Sequence, residues 1–554
     1  MDKIILNAKV YTVNDKMPWA EAIAIKGGKI AAVGCNTDIL SFPLDNPAVI
    51  DGKGRLVLPG FIDNHCHPTT YTYKANTADL FSCTTIEEYQ STIKDYYEAN
   101  PGLQVIKGAG WFYADFEEGV PHKKYLDSII ADKPVMLYSG DFHSLWVNSK
   151  ALELAGIHGD TENPFGGEFA KDAAGEPTGY INEIPAVNII ESQISSFGPE
   201  EFKKGLLTFF SQANKAGITA VHDSGILEEN GLCGYKALSE TDFTLDVFCD
   251  CIVPCDSAGS PLEEVSRIIL YKELENKHFR ANTIKLLMDG VPEANTAMLE
   301  DDYLDEPGKK GEPQWADLDR FNEVCRIADE KGYQIQVHAI GDRGVRCTVD
   351  ALSYAAEING KRDSRHMIAH LQLCSDKDIM RMKDLGVIVV PTAFWFEKGD
   401  MYYQVELFNL GKERADGEYK MKSFIDAGLV VACGSDAPVG IGVPVTDVPF
   451  APVLAIQHGI TRCNVFKDSG DPENVLNPSE RVTLADMIRS YTINGAISNF
   501  AEDRMGTIET GKDANLIILD QDLFSIPITE IYKTKVLLTL FRGNPVYGNV
   551  SDFL

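Results

Sequence analysis

The chain has 554 residues, 44% hydrophobic and 24% charged, with a formal net charge of −31. That length exceeds one ordinary core and predicts roughly two to four domains of globular composition. No run approaches the ~18 consecutive apolar residues of a membrane span, and so acidic a surface repels nucleic acid and anionic membrane.

The opening residues alternate as short strands, KIILNAKVYTV, EAIAIKGGKIAAVG and AVIDGKGRLVLPG, separated by glycine turns. They carry no basic-then-apolar leader pattern, so a cytoplasmic location is expected. The final stretch does the same with GTIETGKDANLIILDQD and KVLLTLFRGNPVYGN. The two ends predict one composite β-sandwich domain from residues 1–57 and 500–554, an arrangement that the usual proximity of chain termini permits. Between them, over residues 58–499, apolar strands are expected at LVLPGFID, 218–223, 244–253, 283–290, 333–342, 365–370, 387–392 and 429–436. DLDRFNEVCRIADEKG and LADMIRSYTING space their apolar residues as helices do. Eight strands alternating with helices predict an α/β fold, a (β/α)8 TIM-like barrel. An open doubly wound sheet is the rival, but no GxGxxG follows any strand. About 150 residues separate the first two strands, more than a crossover needs. A long insertion after barrel strand 1, residues 85–200, is therefore expected at the barrel mouth as a lid or specificity element.

The stretch FIDNHCHPT, residues 61–69, puts His65 and His67 on one face of a strand end. Two such imidazoles can reach a common ion, or simply hydrogen-bond to backbone. Lys285 lies in the fourth expected strand, His338 ends the fifth, His370 the sixth and Asp436 the last. Each has an ordinary reading alone. Together, at the strand ends where barrel enzymes keep their chemistry, they predict a metal centre. His366 shares the face of His370 but lies deeper and reads as structural. Cys249, Cys251 and Cys255 read as strand core, and the 12 cysteines are scattered, as in a reducing compartment.

This ordered set (D-x-H-x-H, a strand-four lysine, two later histidines and a final Ser-Asp) resembles the amidohydrolase superfamily. Within it, the likeness is to amidohydrolase family 3, the N-substituted formamide deformylase-like metal-dependent hydrolases. WVNSKALELAGI, GGEFAKDAAGEPTGYINE, IQVHAIGDRG, RHMIAHLQL, CGSDAPV, SYTINGA and GTIETGKDANLIILD carry the resemblance along nearly the whole chain. Asn515 departs from the family's usual acid, far from the metal motif. The resemblance implies that His65, His67 and Asp436 bind the more buried ion and that His338 and His370 bind a second. Lys285, carboxylated by CO2, would bridge two Zn2+ ions. An unmodified ammonium has three donors and no acceptor and cannot ligate. Nitrogen and oxygen ligands suit zinc, with manganese, iron and nickel left open.

The implied chemistry is hydrolysis of a non-peptide C–N bond in an amide, N-substituted formamide or cyclic amide, with a metal-activated hydroxide and Asp436 as general acid/base. Substrate contacts are expected from Trp111 and His143 in the insertion, His222 at the end of strand two, Arg343 after strand five and Trp395 after strand seven. Each has a packing or pairing alternative. A mononuclear deaminase of an amidine-type ring and a catalytically silent binding protein are the alternatives in function. The strand-four lysine tells against the first and the complete ligand set against the second. The expected partner is a small-molecule substrate, with a homodimer as the commonest default.

Overall fold

The run LVLPGFIDNHC, expected to hold one strand, forms two strands that belong to different sheets. This is seen in a computed structural model that describes residues 2–553 apart from 117–118, 195–196, 227–230, 258 and 440–444. Leu56–Pro59 lies in a six-stranded sheet beside Leu516–Leu519 on one side and Lys9–Tyr11 on the other. Phe61–Cys66 (β1) enters an eight-stranded sheet. Gly60 marks the crossing, where a Cβ would fall 2.3 Å from Thr219 Oγ1.

The six-stranded sheet takes three strands from each end of the chain, running Asn544–Tyr547, Val536–Phe541, Leu516–Leu519, Leu56–Pro59, Lys9–Tyr11, Trp19–Ala20. A four-stranded sheet of Lys29–Gly34, Ala22–Lys26, Lys3–Leu6 and Ala48–Asp51 faces it. Ile5, Ile23 and Ile50 of the smaller sheet share one core with Val57, Leu516, Ile518 and Leu538 of the larger. β-branched and leucine side chains at alternate positions suit such half-buried strands.

The eight-stranded sheet is parallel throughout. After β1 come β2 (Ile218–Asp223), β3 (Asp246–Ile252), β4 (Phe279–Leu287), β5 (Gln334–Ala339), β6 (Met367–His370), β7 (Ile388–Val390) and β8 (Val430–Val431). Its register sets Lys285 beside Gln336, and Ala339 beside His370. The sheet curls until its two ends meet. Asn64 N donates to Cys433 O (3.2 Å), Asp436 N to His65 O (2.6 Å) and His67 N to Ala437 O (2.8 Å). β4 starts earlier than residue 283, because the FRAN stretch already alternates, with Phe279 and Ala281 buried and Arg280 and Asn282 exposed. β8 is shorter than 429–436, since the chain leaves the extended conformation and passes Asp436 at φ +63°.

Helices pack on the outside as their periodicity predicts. Leu318–Glu330 starts where the Asp317 side chain accepts from Asp319 N, and it buries Phe321, Val324, Cys325 and Ala328. LADMIRSYTING is two short helices, Leu484–Ser490 and Ile493–Ser498, interrupted at Thr492. Cys249 and Cys251 lie in the main core and Cys255 packs against it. Between β1 and β2 the chain builds a separate six-stranded sheet from Ala78 to Asn182, starting ahead of residue 85. No helix among the described residues is long and apolar enough to cross a membrane.

The join between the ends of the curled sheet depends on Gly434. A Cβ there would meet His65 Cβ at 2.4 Å and His65 N at 2.6 Å. We predict that Gly434→Ala costs about 1–3 kcal/mol through overpacking and lowers the thermal unfolding midpoint. A midpoint equal to wild type would show that the two strand ends separate freely.

Candidate metal centre

Six of the sequence-predicted residues, His65, His67, Lys285, His338, His370 and Asp436, line one cavity of about 590 Å³. Each is contributed by a strand of the curled sheet or by the residues just after it. His65 Nε2 and His67 Nε2 lie 3.1 and 3.3 Å from Asp436 Oδ1. The His370 ring lies 4.8 Å from that of His65 and 4.5 Å from that of His338, between centroids. Lys285 is 2% exposed, and its Nζ donates to Gln336 Oε1 at 3.2 Å.

The atoms at the centre are poorly matched to each other without a cation. His67 Nδ1 is 3.2 Å from the Gly225 carbonyl oxygen, which only accepts, so Nδ1 carries the proton. Nε2 of a neutral His67 then presents a lone pair toward a carboxylate oxygen. Asp436 Oδ1 is buried and accepts no hydrogen bond despite its two close nitrogens, and His65 Nδ1 is buried without a partner. Among the described residues, His65, His67 and Asp436 are the one group of three such side chains whose ligand atoms lie within 4.8 Å of one another. Two imidazoles and a carboxylate suit a divalent transition metal, so the residues present fit the group.

Burial sets the charge states. Loss of water, reinforced by the Lys285 charge, holds His65 well below its ordinary value, and burial takes His370 to about 3. Both are thus neutral, as metal ligands must be. Burial alone would raise Asp436, but the adjacent His65 and His370 rings hold it well below the usual carboxylate range. Burial lowers Lys285 to about 8, against the pull of Asp250 and Asp436. His370 at φ +71° and Asp436 at φ +63° both occupy left-handed backbone, a strain that surrounding structure must offset.

The five candidate substrate contacts divide. His143 and Trp395 line the cavity. Trp395 stacks on His370 at 5.5 Å and 14°, and His143 lies 5.6 Å from His338. Trp111 does not reach the cavity. It is fully buried in the core of the inserted sheet, against Tyr113 and Phe116, with Nε1 donating to Leu137 O. His222 is held between Asp250 Oδ1 and Asn499 Oδ1, both at 2.6 Å, and is likewise not part of the lining. Arg343 turns away as well, its Nη2 donating to Gly311 O. His366 is structural, with Nδ1 accepting from Ile335 N and Nε2 3.2 Å from Asp329 Oδ1.

Three acidic residues hold the site together in ways the sequence did not announce. Asp63, two positions before His65, accepts from Ser435 N (2.9 Å) and His65 N (3.3 Å), tying β1 to the segment that carries Asp436. Asp289 accepts from Met298 N, Ile340 N and Gly341 N, fixing the turn after β5. Glu183, last residue of the quoted GGEFAKDAAGEPTGYINE, sits 3.0 Å from His143 Nδ1 and accepts from Thr296 and Gln314. Its backbone, at φ +65° and ψ 153°, lies where glycine is normally required. Burial would lower His143, yet Glu183 raises it to about 9. The residue spacing gave no sign of this pairing, because Glu183 and His143 meet across the inserted sheet.

Comparison with known proteins places the chain in a family. The amidohydrolase family matches residues 48–547. The LONG AFTER FAR-RED 3 protein of Arabidopsis thaliana is 26% identical across 99% of this chain and 91% of its own length. An N-substituted formamide deformylase of Arthrobacter pascens is 26% identical across 98% of this chain and 97% of its own. A solved metal-dependent hydrolase from Pyrococcus horikoshii OT3 shares the fold, with a TM-score of 0.73 at 22% identity over 95% of this chain and 99% of that one. From residue 48 to residue 547, the chain belongs to the amidohydrolase family.

Proposed function

We propose that the protein is a metal-dependent hydrolase that cleaves a non-peptide C–N bond in an amide, an N-substituted formamide or a cyclic amide. The observation that carries the reading is the convergence of His65 Nε2, His67 Nε2 and Asp436 Oδ1 in a buried place where no hydrogen bond reaches the oxygen. His338 and His370 would hold a second ion, with Lys285 as a carbamate between the two. A lowered lysine reacts with CO2 more readily, because its neutral amine is the nucleophile. The curled sheet is read as a (β/α)8 barrel, flanked by a β-sandwich composed of both chain ends and covered by the insertion.

Divalent ions there supply an activated water at neutral pH and a Lewis acid for the scissile carbonyl. The chain's own groups do the rest. Asp436 is ionised at neutral pH, so an Oδ can accept the proton of the attacking water and then deliver it to the leaving nitrogen. His143 spends Nδ1 on Glu183 and, when protonated, offers Nε2–H to an oxygen of the substrate. Trp395 fixes the His370 ring by stacking on it. Phe112 and Phe142, from the insertion, supply apolar wall that keeps water out.

Protein purified without chelator should contain close to two divalent ions per chain, counted by plasma emission spectrometry. One ion would leave Lys285 an amine and move amidine-ring deamination to the front. His65→Ala and Asp436→Asn should each reduce hydrolysis of formamides to background while keeping the circular dichroism spectrum. Turnover in either variant would remove the metal-centred reading. Lys285→Ala should lose activity and regain part of it with added short carboxylic acids, whereas failure of rescue would count against the carbamate. The His143–Glu183 pair has its own pH signature. A histidine raised to about 9 from 6.5 stabilises the fold fully below pH 6.5 and ceases to do so as pH rises through 9. In metal-free protein the thermal midpoint should therefore fall between pH 6.5 and 9, and Glu183→Gln should flatten that slope. Parallel profiles for the two proteins would mean that the pair is not ionised.

A further inference from the structure

Lys285 is a buried lysine whose surroundings do not suit an ammonium. It is 2% exposed, and its Nζ donates to Gln336 Oε1 at 3.2 Å. Among the described residues that amide oxygen is its one hydrogen-bond partner, and no carboxylate forms an ion pair with it. An ammonium carries three N–H donors and no acceptor. A single acceptor leaves two donors and the charge unmatched, and a buried charge without a partner is costly. The place fits a nitrogen that keeps one N–H.

The neighbours also fix where that N–H points. Lys285 and Gln336 lie side by side in the register of β4 and β5. Gln336 is fully buried and is not part of the cavity lining, whereas Lys285 lines the cavity with His65, His338, His370 and Asp436. Nζ thus donates away from the cavity and turns its other side toward the candidate ligands. Gln336 Nε2 lies 3.8 Å from Met367 Sδ, a weak acceptor, which leaves Oε1 as the end that faces Lys285. Gly225 packs on the lysine stem, where a Cβ would fall 3.3 Å from Lys285 Cγ, and its φ of +109° favours glycine. The carbonyl of the same glycine holds His67 Nδ1.

We propose that Gln336 is a positioning residue for the carbamate form of Lys285, turning the carbamate oxygens into the cavity, a role that rests on the carbamate reading of this lysine. In the step, the lone pair of the neutral amine bonds to the carbon of CO2. One of its two Nζ protons passes to water, and an anion with one N–H remains. That N–H stays on Gln336 Oε1. The planar nitrogen then carries the new carboxylate on its far side, where the cavity and the candidate ligands are. The amine makes the same hydrogen bond before it reacts, so Gln336 does not have to move. Its neutrality matters as well. An amide oxygen accepts from the carbamate without repelling it, whereas a carboxylate there would pair with the ammonium and oppose the anion.

The test counts carbamate directly, by carbon-13 magnetic resonance of zinc-loaded protein equilibrated with labelled bicarbonate, with Lys285→Ala as the blank. Zinc per chain and the thermal midpoint are measured on the same samples. Wild type should show the carbamate resonance. Gln336→Met, of similar length but without the acceptor, should need about tenfold more bicarbonate for half occupancy, the scale of one lost hydrogen bond to a buried group. Its thermal midpoint should stay close to wild type, which a merely structural role would not predict. Gln336→Glu should show no resonance and hold one zinc fewer per chain, keeping the ion at His65, His67 and Asp436. If Gln336→Glu does not fold, Gln336→Met decides alone. Unchanged bicarbonate dependence in Gln336→Met, or carbamate that persists in Gln336→Glu, overturns the proposal. Wild-type protein that binds zinc without any carbamate overturns it too, and leaves metal-dependent hydrolysis to be decided by His65→Ala.

Discussion

Two imidazole nitrogens and a carboxylate oxygen that face one another inside a protein, without hydrogen bonds, impose a demand that the rest of the fold must meet. The lone pair of His67 Nε2, 3.3 Å from Asp436 Oδ1, repels that oxygen unless positive charge lies between them, and burial prevents water from screening the repulsion. The chain meets the demand geometrically. His65 and His67 come from the first strand of the curled sheet and Asp436 from just beyond the last, so the three meet only because the sheet's ends do. Asp63 ties both ends at once through Ser435 N and His65 N. Left-handed backbone at Asp436 and His370 shows that local conformational preference has been overruled to bring these side chains inward.

The same cavity has two electrostatic characters. Around His65 and His370, burial strips protons and leaves neutral imidazoles. Farther along, burial does the opposite to carboxylates, pushing Glu293 up to about 7 and Glu406 to about 8. Between the two lies His143, with Glu183 behind it. The inserted sheet reaches the cavity through that pair and through Phe112 and Phe142. The insertion is therefore part of the wall. Sequence change within it alters the space in which a substrate sits without touching the strands that hold the candidate ligands.

Much of this was legible in the sequence. The alternation of apolar runs and helical periodicity located all eight parallel strands, and the six candidate ligands at or near their ends line the cavity. Strand limits were less legible. The apolar run of β4 begins only at residue 283, because Arg280 and Asn282 interrupt it, although interruption at every second residue is itself a strand signal. β8 is shorter than its apolar run, and nothing in VACGSD announces a left-handed Asp436. Trp111 and Arg343 illustrate a different limit. Their motifs place them near functional residues along the chain, but side-chain direction depends on tertiary packing, and both point elsewhere. Glu183 was missed for the converse reason, since its partner lies at His143 and no local pattern links the two.

The crossing at Gly60 carries a consequence for how the molecule is made. Residues 56–66 pass without a break from one sheet into another, and the first of those strands pairs on one side with Leu516–Leu519. That partner is synthesised more than 450 residues later. During translation, Leu56–Pro59 therefore waits as an unpaired apolar edge, directly attached to the strand bearing His65, while the whole parallel sheet emerges. Such edges invite pairing with other chains. Completion of the sheet end that carries the candidate ligands is thus coupled in time to the arrival of residues 516–519.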